Sequence, residues 1–373
     1  MMEKEPLASI VISSYNYGRY LHDCIDSALS QSYSRTEVVV VDDASTDDSR
    51  EIITGYGERI RPVLRERNMG GRATYNDSCR VSKGEVILIL DSDDMLCPTA
   101  IESAVVLFQN PEVVKVHWPL WQIDEFGIKS GHLDPCPRLP SGDFRAEVVS
   151  RGPFGYAFPS TSGNAYARRF LEKVLPVPPG GPYGDAYLAA WALVSGAVRS
   201  PSEPQGYYRI HGRNNYGSSD FTARLERDMR HARICLAQIK EHYSARGIQI
   251  DEENWKGHSW HFRLNIAVEN IKRVVPVGES LILVDEDIWA TGGMLEGRRV
   301  LSFPESGGEF AGRPSTDLDA VQELEKQREA GAGFIVFIWQ TFWWLDYYTG
   351  LRNYLRSRFP CILEDSECVI YKL

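Results

Sequence analysis

The sequence predicts an α/β protein in which a domain built on a parallel sheet is followed by a second, smaller α/β domain. Three observations carry that reading. Short apolar runs rich in β-branched residues, Ile10-Val11-Ile12, Val38 to Val41 and Val86 to Leu90, alternate with stretches of helical spacing, as strands covered by helices on both faces do. Two of these runs end in acidic clusters, Asp42-Asp43 and Asp91-Ser92-Asp93-Asp94, so polar groups gather where strands stop. The 373 residues also exceed one typical domain, and strand–helix alternation resumes near residue 277.

Taken in order, Ser9 to Ser13 reads as a strand and residues 14–18 as a turn. Helical spacing follows from Tyr20 to Gln31 through Leu21, Cys24, Ile25, Ala28 and Leu29. Glu37 to Val41 is the second strand, and Ser45 or Asp47 stands ready to cap a helix that runs to about Tyr56. Arg61 to Arg65 is a short third strand, Gly70 to Val81 a helix, and Glu85 to Leu90 a fourth, fully buried strand. A helix between Pro98 and Asn110, a strand from Val113 to Trp118, a loop or hairpin from Asp124 to Pro140 and a short helix from Arg168 to Val174 follow. Gly184-Asp185 then opens an apolar helix. In such a sheet ligands sit at the carboxyl ends of strands, and Tyr15, Asp43, Asn68 and Asp91 all fall there.

Beyond this domain, Asp220 to His242 is helical on Leu225, Met229, Ala232, Leu236 and Ile239, and Trp255 to Val274 reads as one further helix. The boundaries expected are 1–219 for the first domain, 220–276 for a helical linker and 277–373 for the second domain. The last part contains strands at Ser280–Val284, Arg299–Phe303, Phe334–Trp339 and Cys368–Tyr371, with helices at Leu318–Ala330 and Trp343–Phe359. Its acidic cluster, Asp285-Glu286-Asp287, lacks a glycine-rich phosphate loop and reads as a structural turn. The aromatic segment Phe342 to Tyr348 suits a core, an interface or a surface that stacks on sugars.

A net charge of -10 without a basic stripe argues against nucleic-acid binding. Seven cysteines, at 24, 79, 97, 136, 235, 361 and 368, form no CxxC pair, which favours reduced thiols in a cytoplasmic protein. No leader is visible ahead of the first strand and no run reaches 18 apolar residues, so membrane contact would be peripheral. The sharpest chemical signal is Asp91-Ser92-Asp93. Carboxylates one residue apart can hold a hard divalent cation while it rests on phosphate oxygens; the plainer alternative is an acidic turn that ends a strand.

Five stretches in order carry a resemblance. They are Val11-Ile12-Ser13-Ser14-Tyr15-Asn16, Ser27-Ala28-Leu29-Ser30-Gln31-Ser32-Tyr33, Val41-Asp42-Asp43-Ala44-Ser45-Thr46-Asp47, Asn68-Met69-Gly70 with Asn76, and Leu90-Asp91-Ser92-Asp93-Asp94. With them, residues 7 to about 213 resemble the family 2 glycosyltransferases, inverting nucleotide-sugar enzymes of the GT-A fold. The resemblance implies that Ser13 and Tyr15 line a nucleoside pocket, that Asp43 accepts a hydrogen bond from the base, with capping of the following helix as its alternative, and that Asn68 and Ser92 belong to the donor site. It implies further that Asp91 meets ribose or metal, that Asp93 coordinates Mg²⁺ or Mn²⁺, and that Asn164 approaches donor sugar and acceptor, a turn residue being the alternative for Asn164. Asp185 would take the acceptor's proton, although glycine at 184 replaces the family's usual glutamate, and capping the helix is its alternative role. His211 in Tyr207-Tyr208-Arg209-Ile210-His211-Gly212-Arg213 would reach metal or diphosphate, with Arg209 and Arg213 balancing charge.

The function so implied is inverting transfer of a sugar from a nucleotide-diphosphate donor, expected to be UDP-linked, to a hydroxyl of a glycan, glycolipid or small molecule. A nucleotidyltransferase would need a basic glycine-rich loop after the first strand, and residues 14–18 contain no lysine. A catalytically silent carbohydrate-binding or scaffold protein is the alternative of a different class. The last 95 or so residues resemble the accessory module of some bacterial surface-polysaccharide glycosyltransferases, with acceptor binding or homodimer formation as its work.

Overall fold

The computed structural model describes residues 5–135, 139–180, 184–212, 214, 221–286, 288–289, 294–307 and 309–373; Cys136, Arg213 and Asp287 lie outside the described residues. β1 (Ala8–Ser14), α1 (Gly18–Leu29), β2 (Thr36–Asp42), α2 (Ser49–Gly55), β3 (Arg61–Leu64), α3 (Gly71–Val81) and β4 (Val86–Asp91) make a Rossmann-like core. The chain steps outward from β1 to β2 to β3, then returns through α3 to set β4 on the other side of β1, all four strands being parallel. That reversal opens a crevice between the carboxyl ends of β1 and β4, where Ser13 and Asp91 are register partners.

Both faces of the central strands are covered, which is why their sequences are continuous apolar runs. Ile10, Ile12, Leu88 and Leu90 pack with Leu21, Cys24, Ile25 and Ala28 of α1, while Val11, Val39, Ile87 and Ile89 are buried on the opposite face. Each such side chain contributes about 1.5–3 kcal/mol by leaving water. The sheet centre thus supplies the stability against which the polar loops at its rim are held.

The rest of the first half comprises β5 (Met95–Leu96), α4 (Ala100–Phe108), β6 (Val113–His117), β7 (Leu120–Ile123), β8 (Lys129–Asp134), β9 (Gly142–Asp143), α5 (Arg145–Arg151), β10 (Asn164–Ala167), α6 (Arg168–Val174), α7 (Gly184–Ser195), β11 (Ala197–Arg199) and β12 (Gly206–Arg209). β10 runs antiparallel between β4 and β6, and β11 and β9 extend the sheet to the order β3-β2-β1-β4-β10-β6-β11-β9. A second sheet, β5-β12-β7-β8, carries residues after 209 back to the acidic loop that follows β4. The stretch 124–140 begins with a hairpin between β7 and β8, whose turn is tied by Asp124 Oδ1 accepting from the Phe126 and Ile128 amides.

α8 (Phe221–Ser244) buries Leu225, Met229, Ala232, Leu236 and Ile239, the positions its spacing marks. The single helix expected from Trp255 to Val274 is instead two, α9 (Glu252–His258) and α10 (Trp260–Val274), separated at Ser259 by extended backbone. Then follow β13 (Ser280–Val284), β14 (Arg299–Ser302), β15 (Glu305–Ser306), β16 (Glu309–Phe310), α11 (Asp317–Glu329), β17 (Phe334–Ile338), α12 (Trp343–Tyr347), α13 (Thr349–Arg358), β18 (Cys361–Glu364) and β19 (Cys368–Lys372). The chain divides into two compact units, 1–218 with 230–258 and 219–229 with 259–373.

The second unit is itself α/β. Its sheet has the order β14-β13-β17-β19-β18, with β14, β13 and β17 parallel and β19 antiparallel to both neighbours. Within the aromatic segment Trp344 and Tyr348 belong to the core, with Ile282, Val284, Ile335 and Phe337, and Tyr347 is exposed. The buried Trp344 indole donates to Glu286 Oε1 at 2.8 Å, and Arg313 grips both oxygens of that carboxylate. Glu286 is therefore a structural anchor at the end of β13. The six described cysteines are free thiols, and among the described residues no helix is long and apolar enough to cross a membrane.

Candidate active site

Three loops at the carboxyl rim are stitched together by hydrogen bonds from backbone amides to side-chain oxygens. Asn16 adopts φ 57°, a left-handed conformation that asparagine tolerates better than most residues. There its amide donates to Ser45 Oγ at 2.9 Å and its Oδ1 accepts from the Thr46 amide at 2.7 Å. Asp47, rather than Ser45, serves the start of α2, accepting from Ser49 N and also from Gly18 N, both at 3.0 Å. Tyr15 stands on the rim with 42% of its surface exposed, and Ser13 Oγ donates to Thr74 Oγ1 of α3 at 3.3 Å.

Asp43, buried at the end of β2, organises the third loop. It accepts from Met69 N at 2.8 Å and Gly70 N at 2.6 Å, and it pairs with Arg65 Nη1 at 3.0 Å. Gly70 is at φ 79°, where a side chain would be strained. Arg65 also pairs with Asp77 at 2.9 Å, so α3 is fastened to the same carboxylate. A carboxylate offers about four acceptor positions, and three of those on Asp43 are already taken by protein. Asn68 is exposed, and its Oδ1 accepts from Gly70 N.

The acidic loop after β4 divides its three aspartates between different tasks. Asp94 is the buried node: Ser162 Oγ donates to it at 2.6 Å and the Arg209 amide at 2.9 Å. Asp93 faces His211, with Oδ2 to Nε2 at 3.0 Å, and the imidazole stacks on Tyr20 with the Tyr17 ring edge-on. Arg209 lies beside them with a side chain 1% exposed. Its Nε donates to Asp93 O, its Nη1 to Glu125 O and its Nη2 to Asp23, while its guanidinium covers the Tyr20 ring. Ser92 Oγ is buried without a hydrogen-bond partner.

This crowding of charge perturbs its members. Burial first, then the Asp93 charge, pushes Asp91 up to about 7 against a hydrogen bond from Thr161. Asp94 is driven well above the usual carboxylate range by burial, Asp93 and Asp91. The Tyr17 phenol is raised by burial and then by Asp93 and Asp91. Such a concentration of negative charge is what a cation relieves. Among the described residues no three His, Cys, Asp or Glu side chains converge as a complete metal cage. A cation held by one or two protein ligands and by substrate phosphates requires none, so the Asp93–His211 pair fits that mode.

Asn164 is fully buried at the start of β10 and turns its amide inward, donating to the carbonyls of Pro159, Ser160 and Thr161. It clamps the turn that brings Thr161 and Ser162 to the aspartates. Asp185 occupies the first turn of α7 and accepts from the Ala186 amide at 2.8 Å. Burial and then the Asp185 charge raise the phenols of Tyr75 and Tyr166, and the Asp185 charge adds in smaller measure to burial and Asp93 at the Asp91 carboxyl, so these groups share one neighbourhood. Lys115, buried on β6, is lowered to about 7 by burial, with Asp185 acting in the opposite sense.

The structure therefore brings Ser13 beside Asp91, Asp93 onto His211, and Asp185 into electrostatic range of Asp91. Asp43, at the end of β2, and Asn68, on the loop before α3, both accept from the Gly70 amide, and Tyr15 marks the outer rim. The family motifs give no role to Asp94, Thr161, Ser162, Tyr75 or Lys115. Lys115 had a readable signal, a lysine inside the apolar run Val113 to Val116, because lysine is seldom fully buried without function or a partner. The others depend on contacts between segments far apart in the chain.

The glycosyl transferase family 2 model matches residues 9–175. An uncharacterized glycosyltransferase of Nostoc sp. PCC 7120 is 36% identical over 221 residues, which cover 57% of this chain and 67% of that protein. Glycosyltransferase GlyG of Streptococcus pneumoniae is 38% identical over 123 residues, covering 32% of this chain and 40% of that protein. Among solved structures, residues 1–349 of TarS from Staphylococcus aureus align with TM-score 0.50 and 16% identity, over 72% of this chain and 75% of that one. At that identity the likeness concerns the fold alone.

Proposed function

We infer, for a chain that belongs to glycosyl transferase family 2, that it catalyses inverting transfer of a sugar from a nucleotide-diphosphate donor to a hydroxyl acceptor. The donor is UDP-linked, the acceptor a glycan, glycolipid or small molecule, and the setting the cytoplasm, within a GT-A fold. The observation that carries this reading is the contact of Asp93 with His211 at 3.0 Å, beside Asp91, at the crevice between β1 and β4. Asp93 and His211 would hold Mn²⁺ or Mg²⁺, which when bound neutralises charge on the departing diphosphate. Asp91 and Ser92 face the ribose and diphosphate, Ser13 and Tyr15 the nucleoside, and the acceptor position left on Asp43 a base N–H.

Asp185 is the base. Its place in the first turn of α7 favours an ionised carboxylate, because the helix N-terminus carries partial positive charge. The acceptor oxygen attacks the anomeric carbon from the face opposite the nucleoside diphosphate, its proton passes to Asp185, and the bond to the diphosphate oxygen breaks. The test is turnover of a UDP-sugar panel, read as nucleotide release. Asp185→Asn should lower it by about 10²–10⁴-fold while nucleotide affinity is retained. Undiminished turnover in Asp185→Asn would sink the base assignment. A folded wild-type protein that releases nucleotide from no donor would favour the silent carbohydrate-binding alternative.

A further inference from the structure

Gly184 immediately precedes Asp185, at the position where the chain departs from the Glu-Asp pair usual in family 2. The reason lies on α3. A Cβ placed on Gly184 would come within 2.5 Å of Cγ, Cδ1 and Cδ2 of Tyr75, so no other residue fits there unless the ring moves. The Tyr75 ring is buried against the backbone that starts α7. Its hydroxyl donates to Thr161 Oγ1 at 3.0 Å, and the next residue, Ser162, accepts from the Asp91 amide with its Oγ at 3.1 Å.

Tyr75 thus touches both halves of the site. On one side its ring meets the residue beside Asp185. On the other its hydroxyl holds the Thr161–Ser162 turn, where Ser162 Oγ accepts from the Asp91 amide. The phenol is raised by burial and next by the charges of Asp185 and Asp91, in keeping with a position near both carboxylates.

We propose that Tyr75 is a positioning residue that, by seating its ring on Gly184 and its hydroxyl on Thr161, sets the spacing between Asp185 and Asp91. This rests on the reading of Asp185 as base. A base must meet its proton within hydrogen-bond reach, and a misplacement of about 1 Å costs on the order of 10²-fold. Glycine at 184 is then the requirement of a tyrosine spacer.

The experiment is a double-mutant cycle on the full chain, with Gly184→Ala, Tyr75→Ala and their combination, plus Tyr75→Phe and Asp185→Asn. Nucleotide release from a UDP-sugar gives kcat and KM, and UDP titration with Mn²⁺ gives donor-site affinity. Gly184→Ala is expected to lower kcat at least about tenfold with UDP affinity within about twofold, because the added Cβ displaces the ring. The combined variant should be no worse than Tyr75→Ala alone, since the clash is gone. Tyr75→Phe keeps the ring, loses only the hydroxyl, and should lower kcat by about threefold or more with KM unchanged. Additive losses, or a change confined to thermal stability while kcat stays at wild type, would overturn the spacer role. If Gly184→Ala does not fold, Tyr75→Phe decides alone. Inactive Asp185→Asn beside fully active Gly184→Ala and Tyr75→Phe removes this inference only; active Asp185→Asn removes the base reading first.

Discussion

Replacing Arg209 with methionine tests whether the site is held from beneath by one buried cation. Its side chain is 1% exposed, and four interactions go with the guanidinium. The ion pair with Asp23 is the least of them, because that carboxylate is 57% exposed and water screens it to under about 1 kcal/mol. The hydrogen bonds to Asp93 O at 2.8 Å and Glu125 O at 3.2 Å leave two acceptors unmatched, at about 1 kcal/mol or more each. The guanidinium over Tyr20, at 4.8 Å, adds about 0.5–2 kcal/mol. Arg209→Met should therefore lose about 3–4 kcal/mol, whereas Asp23→Asn should lose less than about 1 kcal/mol. Urea denaturation followed by tryptophan fluorescence reads both. An Arg209→Met protein as stable as Asp23→Asn would refute the claim that the backbone contacts and ring stacking dominate.

Two further outcomes follow from buried polar groups. Ser162→Ala removes the donor to Asp94 and the acceptor of the Asp91 amide. It should cost about 1–3 kcal/mol, and an unchanged thermal midpoint would contradict the structural role of Asp94. Lys115 has a folded value of about 7 against 10.5 for the free side chain, so the unfolded chain binds a proton that the folded chain refuses between those pH values. Its burden on stability is full below pH 7 and fades as pH rises to 10.5. Lys115→Met should accordingly be more stable than wild type at pH 7, with the advantage shrinking toward pH 10. An equal difference at both pH values would show that Lys115 is not buried against its charge.

Much of the first half is legible in the chain because the signals are local. The apolar runs of β1, β2 and β4 need no partner to be recognised, and the α1 stripe of Leu21, Cys24, Ile25 and Ala28 follows from helical period alone. Asp91 and Asp93 are visible because they end such a run. What escaped was set by distant segments. β5 is only Met95–Leu96 and exists by pairing with Gly206 and Tyr207, a relation no window can contain. The break at Ser259 interrupts a periodicity that otherwise reads through from Trp255 to Val274. Asp43 looks in sequence like a residue free to meet a nucleobase, yet most of its acceptor capacity holds the loop of Met69 and Gly70. Asn164 suits in sequence either a donor-site or a turn residue, and it is fully buried around the turn that presents Thr161 and Ser162. Sequence exposes which groups can do chemistry; the fold decides which are spent on holding the others.

Calorimetric titration with UDP, GDP, CDP and dTDP, each with Mn²⁺ and then with EDTA, tests the donor site most directly in wild type and Asp93→Asn. The account predicts that one nucleotide, UDP, binds in Mn²⁺, and that EDTA or Asp93→Asn weakens that binding at least tenfold, about 1.4 kcal/mol. A folded protein that binds none of the four, or binds one equally well with EDTA and in Asp93→Asn, would contradict it.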